Sequence, residues 1–170
     1  RAVGGKEGAS AWAKELAQMY ASWAEERKYD VDVAVHASHA EVVVKGPYAY
    51  GYLKGENGGH RLIAAPKGKE QRRGDVFLAR VEVKPLVANA TNERAQKKGP
   101  ASERRRVGTI GAAAGAGPDD EPPIRTYDQW HSRGVRDRRT GAADGDVQRV
   151  LGGKIDAFLE AAFAPAMEQE

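Results

Sequence analysis

The chain has no cysteine. That excludes disulfides, thiol nucleophiles and thiolate metal sites, and it leaves the redox compartment open. Charge of one sign is scarce as well: 27 Lys and Arg stand against 24 Asp and Glu, a formal net charge of +3. So mild a balance permits a phosphate-bearing partner without requiring one. No apolar run reaches the ~20 residues of a membrane-spanning helix, so no membrane partner is expected. Four histidines, His36, His39, His60 and His131, are scattered through the chain. His36 and His39 lie close, yet no carboxylate spacing reads as completing a metal motif, so structural roles, no metal and no cofactor are expected. The chain opens on Arg1 rather than methionine, which reads as processing or as a missing N-terminal part. Its Ala-Val-Gly-Gly start lacks the character of a transit peptide.

What is present is periodic at both ends. Ser10 is placed to cap a helix from about Ala11 to Arg27, with Trp12, Leu16, Met19, Tyr20 and Trp23 on one stripe. Such a stripe needs a sheet face to cover. "YDVDVAVHA" alternates with period two, "HAEVVVKG" reads as the next strand, and "YAYGYL" as its continuation or a short partner. "DVFLARVEVKP" is a third strand, stopped at Pro85. Between Ala88 and Asp120 the composition is that of a linker: "NERAQKKGPASERRR" is basic, and "GTIGAAAGAGPDDEPP" is Gly, Ala and Pro with three carboxylates. "GAAAGAG" lacks the Gly-Lys-Ser/Thr ending of a phosphate loop. "IRTYDQW" reads as a short strand and "HSRGVRDRRTGAADGD" as a charged, turn-rich segment. A last helix is expected from Asp146, with Val150, Leu151, Ile155, Phe158, Leu159 and Ala162 as its apolar face and Pro165 near its end.

Several of these stretches resemble a known family. "GGKEGASAWAKELAQMYASWAEERKYDVDV" and "GPYAYGYLKGENGGHRL" are similar to the codon-reading domain of class I peptide chain release factors, of the type that reads UGA and UAA. "NERAQKK" resembles the family's basic segment, and "IRTY", "VRDRRTG" and "VLGGKIDAFLEAA" resemble its C-terminal domain. The resemblance implies an α+β fold: a mixed or antiparallel sheet with flanking helices, the codon-reading domain packed with the C-terminal domain. It implies three segments: residues 1–87 as the codon-reading domain, 88–123 as a linker left by a deleted catalytic domain, and 124–170 as the C-terminal domain. On this reading Tyr48, Tyr50 and Tyr52 supply rigid packing area, and His60 and Arg61 tie the turn together.

The departures from the family matter more. Release factors hydrolyse the peptidyl-tRNA ester with a Gly-Gly-Gln motif, and none occurs in this sequence. Pro85, which the family would follow with the segment carrying that motif, is here followed almost at once by "LVANATNERAQ". The family's Ser-Pro-Phe is matched by Ala65, Pro66 and Lys67, so a hydroxyl becomes a methyl and a ring becomes an ammonium. Its Arg-Arg-His-Thr-Ser is matched by Arg72, Arg73, Gly74, Asp75 and Val76. Base reading is weakened while positive charge remains, and positive charge near phosphate gives affinity without sequence preference.

The expected function is therefore release-factor-like RNA binding without enzymatic activity, on the ribosome as a component or factor. RNA-binding residues would be Arg61, Ala65, Pro66, Lys67, Arg72, Arg73, Arg104, Arg105 and Arg106, with ribosomal RNA and ribosomal proteins, or mRNA, as partners in a large ribonucleoprotein. The alternatives are an organellar mRNA-binding or transcript-stabilising factor, and a genuine termination factor whose catalytic segment is missing from this sequence. The expected compartment is the bacterial cytoplasm or an organelle matrix or stroma, mitochondrial or chloroplast. A true deletion predicts Cα steps near 3.8 Å at every residue from Val83 to Asn92.

Overall fold

The structure, a computed structural model, describes residues 6–68, 74–86, 107–114 and 121–163. The step test above runs past Leu86 into residues outside this set.

Helix α1 (Lys6–Glu26) carries the expected stripe. Trp12, Leu16, Met19, Tyr20 and Trp23 are each at most 1% exposed. Its start differs from the sequence reading. The helix begins at Lys6, so Ser10 lies inside it, and the Ser10 hydroxyl donates to the Ala37 carbonyl at 2.7 Å instead of capping. Strands β1 (Asp30–Val35) and β2 (His39–Lys45) form an antiparallel hairpin. β1 is a sheet edge, which leaves Val33 and Val35 exposed.

"YAYGYL" is not a strand. Ala49–Leu53 form a short helix, α2, followed by a 3-10 turn at Lys54–Glu56. The period-two spacing of the tyrosines misleads because Pro47 ends the ladder and Tyr48 turns the backbone left-handed, φ 60°. The Tyr52 amide then donates to the Tyr48 carbonyl. Tyr50 and Tyr52 pack against the core as expected, whereas Tyr48 is exposed.

Strands β3 (Gly58–Ile63) and β4 (Val76–Pro85) pair antiparallel, so His60 and Arg61 lie within a strand rather than tying a turn. Strand β5 (Val107–Ala114) corrects the linker reading most sharply. It lies between β2 and β4, pairs antiparallel with both, and α1 packs across it. Gly and Ala are poor strand formers in isolation. A position with hydrogen-bonding neighbours on both edges overrides that preference.

Strands β6 (Arg125–Asp128), β7 (Gly134–Asp137) and β8 (Ala143–Asp144) complete one sheet of order β1-β2-β5-β4-β3-β6-β7-β8. β6 runs parallel to β3 and every other pairing is antiparallel, so the sheet is mixed and the fold α+β, as expected. "IRTYDQW" supplies β6, and the charged segment after it supplies β7 and β8.

The last helix is two. Asp146 does cap it, accepting from the Arg149 amide at 3.0 Å, but α3 (Val147–Leu151) stops and α4 (Asp156–Phe163) starts afresh. Gly153 makes the break. Its φ is +108°, and a Cβ there would meet the Trp23 backbone nitrogen at 2.8 Å. Val150, Ile155, Phe158 and Leu159 are buried together with the α1 stripe in one core.

Candidate nucleic-acid interface

Strand alternation sorts β3, β6 and β7 into two faces. His60, Arg125 and Asp137 form one row across the strands, and all three are buried. The next row, Arg61, Thr126 and Arg136, points the other way and is open to solvent or half-buried. Arg61 and Arg136 flank Thr126, two strand spacings or about 10 Å apart along the row. With Arg138 they line a groove of about 730 Å³ that also includes Ile63, Thr126 and Ser132.

The carboxylates in this groove are already engaged. Asp128 accepts from the Trp130, His131 and Ser132 amides and the Ser132 hydroxyl. Although burial works to raise its pKa, these bonds hold its carboxyl below the usual range. Asp144 pairs with Arg149 and accepts from the Asp146 amide. Among the described residues, none forms an ion pair with Arg61, Arg136 or Arg138. Such a row suits phosphate oxygens, which take guanidinium contacts without regard to base.

Of the RNA-binding residues named from sequence that fall among the described residues, Arg61 alone lines the groove. Ala65, Pro66 and Lys67 follow β3 in the loop to β4, with Ala65 and Lys67 exposed. The Ala64 amide donates to the Asp75 carbonyl and closes the base of that loop. Gly74 is needed there sterically, since a Cβ would meet the Ala64 oxygen at 2.0 Å. Arg72, Arg73, Arg104, Arg105 and Arg106 lie outside the described residues. Arg136 and Arg138 were missed by the sequence reading. Their signal is the alternation Val135-Arg136-Asp137-Arg138, where the first and third residues are buried and the second and fourth exposed.

Behind the open row is a polar network that holds it in register. Arg125 is fully buried and donates to both Glu56 oxygens at 2.6 and 2.7 Å and to Asp137 at 3.1 Å, with its guanidinium 4.5 Å from the Phe158 ring centre. Tyr20 donates to Glu56 at 2.8 Å. Burial alone would raise the Glu56 and Asp137 carboxyls. For Glu56 the charge and hydrogen bonds of Arg125, and for Asp137 those of Arg139 and Arg125, hold them below the usual range instead. Burial, reinforced by the charge of Arg125, lowers His60 to about 4. Neutral His60 donates from Nε2 to the Glu56 carbonyl at 3.0 Å and accepts at Nδ1 from the Tyr127 hydroxyl at 3.3 Å.

This fixes the sign of a pH response. Between about pH 4 and 6.5 the unfolded chain binds a proton that folded His60 does not. Stability is therefore full above that window and falls as the pH drops through it, by up to roughly 3 kcal/mol. The depressed carboxylates act in the same sense at lower pH. Urea unfolding at pH 7 and pH 4.5 should show the loss, and His60→Gln should flatten it. Stability that is unchanged or higher at pH 4.5 would contradict the assignment.

Comparison with known proteins agrees with this architecture. Residues 1–76 match the PCRF domain family. Peptide chain release factor 2 of Corynebacterium aurimucosum is 28% identical over 231 residues, covering 95% of this chain and 62% of that protein. The corresponding protein of Thermomicrobium roseum is 41% identical over 83 residues, covering 45% of this chain and 22% of that one. The solved structure of RF2 of Thermus thermophilus is similar with a TM-score of 0.58 at 20% identity, over 94% of this chain and 64% of that chain, a likeness of fold. The chain is therefore similar to class I peptide chain release factors along most of its length, with the PCRF match confined to its first 76 residues. The relatives named here are of the release factor 2 type, and the chain spans less than two thirds of their length.

Proposed function

We propose that this protein binds ribosomal RNA as a release-factor-like component or factor of the ribosome and does not hydrolyse peptidyl-tRNA. The observation that carries the reading is the row of Arg61, Arg136 and Arg138, without ion-pair partners among the described residues, on a fold of this family. Two further points support it. The sequence holds no Gly-Gly-Gln, and the stretch matched in the Corynebacterium relative, 231 residues, is longer than this whole chain of 170. That relative therefore carries dozens of residues with no counterpart here. The reading keeps residues 1–87 and 124–170 as the codon-reading and C-terminal parts of one superdomain, with β5 reassigned from the linker between them to the sheet. The relatives named are bacterial, which favours the bacterial cytoplasm over an organelle.

The test uses ribosomes programmed with a stop codon and labelled peptidyl-tRNA, together with binding curves for ribosomal subunits and unstructured RNA at several potassium concentrations. Binding without ester hydrolysis is expected, with log affinity falling by about 0.7–0.9 per log salt for each phosphate neutralised. Arg61→Ala and Arg136→Ala should each reduce that slope by about one and weaken ribosomal and unstructured RNA alike. Lys67→Ala should do the same if the loop joins the contact. Stop-dependent release by the purified chain would overturn the non-hydrolytic reading. Absence of any salt-dependent RNA binding would overturn the RNA interface. A variant that changed the ranking among RNAs would point to base contacts, and so to a selective mRNA client.

A further inference from the structure

The β1–β2 hairpin brings together three side chains that sequence spacing did not unite. His36 and His39 close the turn, the His36 amide donating to the His39 carbonyl at 2.8 Å. Their rings stack with centres 4.3 Å apart and planes within 16°. Glu41 follows His39 two residues along β2, hence on the same face. Its Oε1 is 3.9 Å from His39 Nε2, and one ligand atom from each of the three residues lies within 4.8 Å of the others. The turn is anchored from behind by the Ser10 hydroxyl on the Ala37 carbonyl.

The geometry points to a surface zinc site formed by His36, His39 and Glu41. Two imidazoles and one carboxylate suit zinc among the borderline ions, whereas calcium and magnesium prefer oxygen throughout. Tetrahedral bonds of about 2.0–2.2 Å place ligand atoms roughly 3.3–3.5 Å apart. The present spacing exceeds that by an ångström or so, which rotation of side chains at a solvent-facing turn supplies without moving the strands. Stacked rings already hold both imidazoles on one side of the hairpin. Three protein ligands leave the fourth zinc position for water, or for a donor brought by a partner. Nothing in the RNA-binding reading requires this site, which lies at the sheet edge farthest from β7 and β8.

The full chain, free of any affinity tag, should be titrated with zinc by calorimetry and with cobalt by visible absorption. One saturable equivalent is expected, with the cobalt form giving a tetrahedral visible band and the melting temperature rising with zinc. His36→Ala, His39→Ala and Glu41→Gln should each weaken binding at least about tenfold, since loss of an outer-shell partner alone costs about 10–100-fold. All three positions are exposed or half-buried, so the metal-free variants should melt like the parent. His131→Ala, at an exposed histidine elsewhere, should bind normally. No saturable binding, or undiminished binding in any one of the three variants, would overturn the site.

Discussion

Replacing Arg125 with alanine is expected to remove about 3–5 kcal/mol of stability. The loss comes less from the contacts deleted than from what is left behind. Glu56 and Asp137 are fully buried, and without the guanidinium each carboxylate loses its principal buried counter-charge in a low-dielectric interior. Against a total stability of 5–15 kcal/mol for a typical domain, that approaches unfolding. Glu56 lies beside β3 and Arg125 opens β6, so the change strikes where the early and late parts of the chain are joined. Equilibrium urea denaturation of the single variant is the measurement. The triple variant carrying Glu56→Gln and Asp137→Asn as well should recover part of the loss, because it removes the stranded charges. A loss below about 1 kcal/mol for Arg125→Ala would mean that water reaches the network.

Trp23→Ala should cost a comparable amount, about 3–5 kcal/mol, for a different reason. Trp23 is 1% exposed and sits where α1, α2 and α4 meet. Its indole donates to Asp156 at 3.1 Å, its ring meets Tyr29 and Tyr52 edge-on, and the Arg27 guanidinium lies 4.9 Å from its centre. Truncation opens a cavity and leaves Asp156 to Arg27 alone, their separation being 2.5 Å. Trp23→Phe separates the two contributions. It keeps most of the packing and deletes the hydrogen bond, so it should lose only about 1–2 kcal/mol. Thermal unfolding of both variants checks the ranking, and equal losses would show that packing was not the dominant part.

Those two residues also mark what the sequence disclosed and what it hid. Trp23 was legible because helical spacing is local: five large residues at a 3.6 period leave one face to bury. Strands β1, β2 and β4 were legible for the same reason, since period-two alternation is also local. Arg125 was not. It reads as another surface cation in a basic segment, and only the parallel pairing of β3 with β6 brings it to Glu56. β5 was hidden by composition, since Gly and Ala look the same in a linker as in a strand held from both sides. The interface divided along similar lines. Arg61 follows from its charge and the resemblance together, though the sequence set it in a turn and not in β3, while Arg136 and Arg138 depend on β7 being a strand inside a segment dense with turn residues. The zinc tripod needed the hairpin register, which sets His36 against His39 across the turn.

The antiparallel register of β4 with β5 pairs Pro85 with Gly108. The two ends of the intervening chain therefore leave and re-enter the sheet as neighbours, about one strand spacing apart. Such an opening puts little entropic restraint on the length of chain between its ends. Closing a longer excursion costs only about 0.6 kcal/mol for each doubling, and the pairing on either side is indifferent to what is spliced there. A whole independently folding body can thus be gained or lost at this port while the eight-stranded sheet, its core and its open arginine row stay as they are. The same port is a practical one: a fluorescent or affinity module grafted directly after Leu86 should leave the described sheet folded, and would give a reporter for testing the proposed ribosome binding from a point tied directly to the centre of the sheet.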